Sequence, residues 1–180
     1  MTDLAPEFWQ MFAGAVHGFA STVLLVGGTS KLGRDFGSVV VSYRLLPEEL
    51  SRATGAILPA TEVAFAILLA LWGSPAVALP ASLLFMVFAI AIAINMVRGR
   101  TYLDCGCNMR RAAPIHWSMM AANLLVGLLL ATTMVWQRDA FSLSASAGLA
   151  LGIGGNLLMR LKTEIHEIRL VALTTGKSGR

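Results

Sequence analysis

Two cysteines, Cys105 and Cys107, occur in 180 residues, and a single glycine separates them. A disulfide needs Cα atoms roughly 4.4 to 6.8 Å apart, which neighbours two positions apart reach only in a bent backbone. Gly106 permits the bend. So small a ring is strained, and strain favours rapid exchange over permanent stapling. Arg98, Arg100, Arg110 and Arg111 flank the pair with positive charge that stabilises thiolates, partly opposed by Asp104. The chemistry these residues suit is thiol–disulfide exchange, with Cys105 and Cys107 as the catalytic pair. Two other readings stay open: a pair of small residues without a role, and a soft-metal site completed by His116 or Met109. Two thiols make an incomplete zinc site, so no metal and no cofactor are expected.

Glu62 is the next residue that demands an explanation, because an acid near the middle of a membrane helix costs about 2.5–3.5 kcal/mol on insertion scales. It has to be paired or protonated, and His17 and Lys31 are the candidate partners. A structural hydrogen bond and a proton relay are both open for it. Asn95 and Asn123 read as polar glue between helices. The nine methionines are scattered through apolar stretches and read as packing.

The elements that must position these groups follow from composition. Hydrophobic residues make up 56% of the chain and charged residues 13%, a balance suited to lipid rather than water. The pattern predicts an all-α, polytopic transmembrane helical bundle of five spans over residues 9–28, 53–72, 77–97, 117–136 and 141–158. A polar loop is expected from Thr29 to about Tyr43, and Pro47-Glu48-Glu49 supplies the proline and acids that favour a helix start. Pro59 should kink the second span, and Gly73-Ser74-Pro75 gives a short turn to the third. Gly14 with Gly18, and Gly148 with Gly152, have the spacing that lets helices approach closely. An amphipathic, basic tail over 159–180 either lies on the membrane surface or extends the last helix.

The net charge of +4 comes from residues beside apolar segments, so it reads as a topology signal and not as a nucleic-acid surface. With five spans, every Lys and Arg except Arg138 falls on one side, which the positive-inside rule assigns to the cytoplasm. The expected location is the bacterial inner membrane, with the N-terminus periplasmic and the C-terminus cytoplasmic. Met1 to Gln10 holds no Lys or Arg, so the first helix is expected to stay as an anchor.

Ser30-Lys31-Leu32, Tyr43-Arg44-Leu45-Leu46-Pro47, Leu58-Pro59 with Glu62, Asn95, Arg98-Gly99-Arg100 and Asp104-Cys105-Gly106-Cys107 occur in order between Gly27 and Asn123. In this combination the chain resembles the MauE family of methylamine-utilisation membrane proteins, within the wider DoxX-like group. It departs from many relatives at Asn108-Met109, where they carry an aromatic residue and a glycine. The resemblance implies a four-helix DoxX-like core plus a fifth helix. It also implies a role in maturation, processing or transport of the methylamine dehydrogenase β subunit, a disulfide-rich periplasmic chain carrying tryptophan tryptophylquinone. The implied partner is a MauD-like thioredoxin-fold protein.

The leading expectation is that Cys105 and Cys107 relay electrons across the membrane to that partner, with Asp104, Arg98, Arg100, Glu62, Asn95, His17 and Lys31 in support. A pair at the cytoplasmic face reaches a periplasmic client through a re-entrant segment or by alternating access. Two readings from other classes stand beside it. One is a non-enzymatic scaffold or export factor whose helical surfaces carry the function. The other is a small-solute transporter, which requires Glu62 and His17 to line a cavity.

Overall fold

Proline and glycine mark the helix boundaries of this chain. Pro47 caps the helix that opens on Glu48 and Glu49, Gly73 ends it in the left-handed region at φ 44°, and Pro75 starts the next. The computed structural model describes residues 4–104, 114–136 and 143–176. They form α1 (Leu4–Lys31), α2 (Phe36–Tyr43), α3 (Glu48–Trp72), α4 (Pro75–Val97), α5 (Trp117–Trp136) and α6 (Leu143–Gly176). Among the described residues β structure is confined to one isolated antiparallel bridge, between Asp104 and Pro114. The all-helical class expected from composition is what the described residues adopt.

The stretch expected as a polar loop corrects the sequence reading, since residues 36–43 form α2. Asp35 accepts a hydrogen bond from the Ser38 amide at 3.3 Å, and Arg44 closes the other end in the left-handed conformation. Both ends of so short a helix are therefore satisfied locally. Phe36 and Gly37 are buried, and Gly37 lies against Gly55 of α3 so closely that a Cβ on Gly55 would meet the Gly37 backbone.

Among the described residues four helices are long and apolar enough to cross a membrane: Pro6–Lys31, Glu48–Trp72, Pro75–Val97 and Trp117–Met134. Their outward faces carry Leu71, Trp72, Leu79, Leu83, Val87, Ile90, Leu125 and Leu128, all exposed, as a surface facing hydrocarbon requires. α6, which covers residues 143–158 of the expected fifth span, is not among them, and since it is long enough the reason is the composition of its described residues. Its first half is rich in Ser and Gly, and Asn156, Arg160 and Lys162 follow. The helix starts at Leu143 and continues unbroken past Leu158 to Gly176. Its 34 residues make it about 50 Å long, more than a hydrocarbon core of about 30 Å needs.

α1 is the central helix, packing on α3, α5 and α6, while α4 packs on α5 and α2 on α3. The core is built largely from small residues: Ala20, Ala66, Ala78 and Ala81 surround Leu24, Leu69, Phe85 and Leu130. In lipid such residues matter because close backbone approach, not expulsion of water, drives helix association. The α1–α6 contact is the extreme case. A Cβ on Gly148 would overlap the Met11 carbonyl, one on Gly152 the Ala15 carbonyl, and one on Gly18 the Leu149 carbonyl. The order of these contacts makes α1 and α6 parallel. The hydrogen bond from Ser21 Oγ to the Ala66 carbonyl, at 2.7 Å, and the approach of Gly28 to Pro59 make α1 and α3 antiparallel.

Gly148→Leu should therefore destabilise the detergent-solubilised protein by about 1–3 kcal/mol or more, as overpacking of a tight interface does. Gly154, with nothing near its Cβ position, is the control. Gly154→Ala should leave thermal unfolding unchanged or raise it slightly. Equal melting shifts for the two variants would show that the α1–α6 approach is not a packing constraint.

Candidate functional site

α1 ends on Lys31, and the Lys31 ammonium meets Glu62 of α3 in a buried ion pair. Lys31 is 4% exposed and Glu62 1%. Two glycines one turn back make the approach feasible. A Cβ on Gly28 would press on the Pro59 carbonyl and Val63, and one on Gly27 would sit 3.5 Å from Glu62 Oε2. Glu62 Oε1 accepts from Lys31, while Oε2 is buried with no hydrogen-bond partner among the described residues. The ammonium also lies 5.1 Å from the Phe36 ring centroid and 5.3 Å from that of Phe88, within cation–π range.

His17, the other candidate partner of Glu62, is not at this site. It lies 14 positions before Lys31 on the same helix, roughly 20 Å away along the axis. Its Nε2 is 3.1 Å from Thr133 Oγ1 of α5, a buried polar contact between two helices. Lys31 is thus the partner of Glu62, and His17 serves the α1–α5 contact.

At the same end of the bundle, α4 finishes beside α2. Arg98 donates to the Arg44 carbonyl at 3.3 Å and Arg100 to the Ser42 carbonyl at 3.4 Å. Both guanidinium groups so meet the unsatisfied carbonyls that a helix C-terminus leaves, where positive charge is favoured. Asn95 is fully buried, donating to the Ala91 carbonyl at 3.0 Å, and its Oδ1 has no partner among the described residues. The Tyr43 hydroxyl donates to the Asp104 carbonyl at 3.2 Å. Leu103 and Ile115 are buried together with Ile92, and the Ile115 amide donates to the Leu103 carbonyl at 3.1 Å. The chain thus leaves the described structure at Asp104 and returns at Pro114, directly opposite. Cys105 and Cys107, with Met109, Arg110 and Arg111, lie outside the described residues. No cluster of metal-ligating side chains occurs among the described residues, and His116 is exposed.

Two cavities meet at Lys31. One, of about 180 Å³, lies between α2, α3 and α4, with Phe36, Val40, Tyr43, Leu58, Phe88 and Asn123 in its wall. Leu45, Leu46 and Val87, all exposed, line it on the outer side. The other, of about 230 Å³, lies at the α1–α2 turn and is lined by Arg34, Asp35 and Arg52 as well as Lys31. Neither Glu62 nor His17 lines either one.

Residues 9–162 match the family model described as methylamine utilisation protein MauE. The chain belongs to the MauE family. The methylamine utilization protein MauE of Paracoccus denitrificans is 33% identical over 156 residues, covering 82% of this chain and 83% of that one. The Methylorubrum extorquens protein of the same name is 35% identical over 147 residues, 76% of this chain and 75% of its own. That of Paracoccus versutus is 40% identical over 118 residues, 62% of each. No solved structure matches. Membership agrees with the resemblance carried by the motifs between Gly27 and Asn123, and with four apolar helices it makes this a membrane protein of the MauE family.

The sequence reading did not anticipate that Phe36 and Phe88 flank Lys31. The signal for the first was present: Phe36, Val39, Val40 and Tyr43 have the i, i+3, i+4, i+7 spacing of an amphipathic helix, preceded by an aspartate cap. Phe88 carries no such mark within an apolar run.

Removing one partner of a buried ion pair strands the other charge, at a typical cost of about 3–5 kcal/mol. Lys31→Met should lower stability in detergent by that order, and combining it with Glu62→Leu should recover most of the loss. A double variant no more stable than the single one would show that Glu62 is not what Lys31 holds.

Proposed function

We propose that this MauE-family protein serves methylamine utilisation as a thiol–disulfide oxidoreductase of the membrane. Cys105 and Cys107 cycle between dithiol and disulfide and exchange two electrons with a MauD-like thioredoxin-fold partner. The client is the methylamine dehydrogenase β subunit. A chain with many disulfides needs exchange to correct wrong pairings, and exchange needs a source or sink of electrons. The observation that carries the proposal is the closure of the chain around the cysteine segment. Asp104, the residue before Cys105, is bridged to Pro114 and held by the Tyr43 hydroxyl, so the segment departs from a fixed base at one end of the bundle.

The bundle inserts in the bacterial inner membrane with five passes, the N-terminus periplasmic and the C-terminus cytoplasmic. Support for the fifth pass comes from α6, which lies parallel to α1 across the glycine contact and so carries Arg160 and Lys162 toward the end that holds Lys31 and Arg34. Support for the orientation comes from the gathering of Lys31, Arg34, Arg44, Arg52, Arg98 and Arg100 at that end. A periplasmic client is then on the far side, so the cycle includes a step in which the cysteine segment is reached through a re-entrant path or by alternating access. Labelling Cys107 in intact cells with an impermeant thiol reagent tests the orientation; labelling from outside alone overturns it.

Cys105→Ser combined with Cys107→Ser should abolish maturation of the β subunit while the protein still accumulates in the membrane. Recovery of active methylamine dehydrogenase at wild-type yield from that strain would sink the relay.

A further inference from the structure

The cavity between α2, α3 and α4 has a chemical character that the relay by itself does not use. Its walls are apolar, but Lys31 stands in them with an ammonium that has three N–H donors. Among the described residues Glu62 Oε1 accepts one of these, so two remain for a ligand. Phe36 and Phe88, both in the wall, hold their rings near the ammonium. An apolar cavity of ~150 Å³ takes a benzene ring, so about 180 Å³ takes one six-membered ring, with ring substituents reaching its exposed outer side at Leu45, Leu46 and Val87. Anything longer must leave past exposed Leu45, Leu46 and Val87 into hydrocarbon. The occupant is therefore a flat ring with a hydrogen-bond acceptor and an apolar tail.

Charge narrows the class further. Glu62 already neutralises Lys31, so a fatty acid or phosphate headgroup would bring a second negative charge into a buried site that holds one positive charge. A neutral carbonyl accepts a hydrogen bond from the ammonium without that penalty. We propose that this cavity binds the ring of a membrane-soluble quinone, with Lys31 donating to one quinone carbonyl and the tail leaving between the α2–α3 connection and α4. The polar cavity on the other side of Lys31 places Arg34, Asp35 and Arg52 between the ion pair and water, a route for protons to and from the site.

Tyr43 ties this cavity to Asp104, where the described chain stops short of the cysteines. It lines the wall and its hydroxyl holds the carbonyl of Asp104, the residue before Cys105. The use of the quinone as electron acceptor rests on the relay reading. The dithiol of Cys105 and Cys107 gives up two electrons and two protons, a sulfur–sulfur bond forms, and the quinone becomes a quinol. Used in this way the quinone makes the pair an oxidant, the reverse of electron delivery to the partner: the pair is reoxidised in the membrane and passes a disulfide on to its thiol-bearing partner.

The test uses the full chain with Cys105→Ser and Cys107→Ser, in phosphatidylcholine nanodiscs, photolabelled with a short-tailed azido-ubiquinone. We expect saturable labelling within residues 36–43 or 84–92, competed by unlabelled ubiquinone-1 and not by palmitate. Ala91→Trp and Thr54→Trp, which place a large ring in the cavity from its α4 and α3 walls, should each weaken labelling by about tenfold or more. Two variants are used so that one that fails to fold, read by circular dichroism, leaves the other to decide. Labelling that does not saturate, that palmitate competes equally, or that both folded variants retain overturns the quinone site. Because this form lacks both thiols, its failure to bind overturns the site alone, whereas the maturation assay decides the relay.

Discussion

A lysine and a glutamate buried together at the end of the first membrane helix constrain everything around them. Neither charge can be left alone in hydrocarbon or in a dry protein interior, so α1 and α3 must meet at the register that joins Lys31 to Glu62. That register requires Gly27 and Gly28 on one helix and places Pro59 opposite them. It also fixes the turn after Lys31, because Asp35 and Phe36 must follow at once for α2 to fold back over the ammonium. The two cavities at this end are spaces left between elements that the pair holds in place. Buried ion pairs add little net stability, and their value lies more in specifying one arrangement over others.

Small residues play the corresponding part along the rest of α1. Hydrocarbon offers no hydrophobic reward for bringing helices together, so association depends on how closely backbones pack and on a few polar contacts. Gly18, Gly148 and Gly152 give the first, and the contacts of His17 with Thr133 and of Ser21 with the Ala66 carbonyl give the second. Ser82 adds another on α4, donating to the Gly127 carbonyl of α5 at 2.8 Å. Each helix after the first is thereby tied to a neighbour through at least one small or polar residue.

Much of this was legible from composition and spacing. The four most apolar stretches became four helices within a few residues of their expected ends, because runs of about 20 apolar residues have few other solutions in lipid. The glycine spacings pointed to close helix approach without saying which helices would meet, and the mid-helix acid announced the need for a partner. Which partner it was could not be read, because His17 and Lys31 lie on one helix and only the register against α3 separates them. α2 was missed for another reason: Ser and Gly among its residues read as loop, and the four-residue apolar pattern that betrays it is short. Phe88 became a site residue purely through tertiary placement, which no local pattern records. The cysteine pair was conspicuous in sequence but lies outside the described residues, so its setting is known from its flanks, Asp104 and Pro114.

The parallel contact of α1 with α6 joins the first helix of the chain to the last. During synthesis α1 enters the bilayer long before its partner exists, and its glycine face stays turned to lipid until about 120 further residues have emerged. Closure of this seam therefore waits for α6 to be made. Any chain cut short before Leu143 would keep the ion pair and most of the core yet leave that seam, with Gly18 on it, open to lipid.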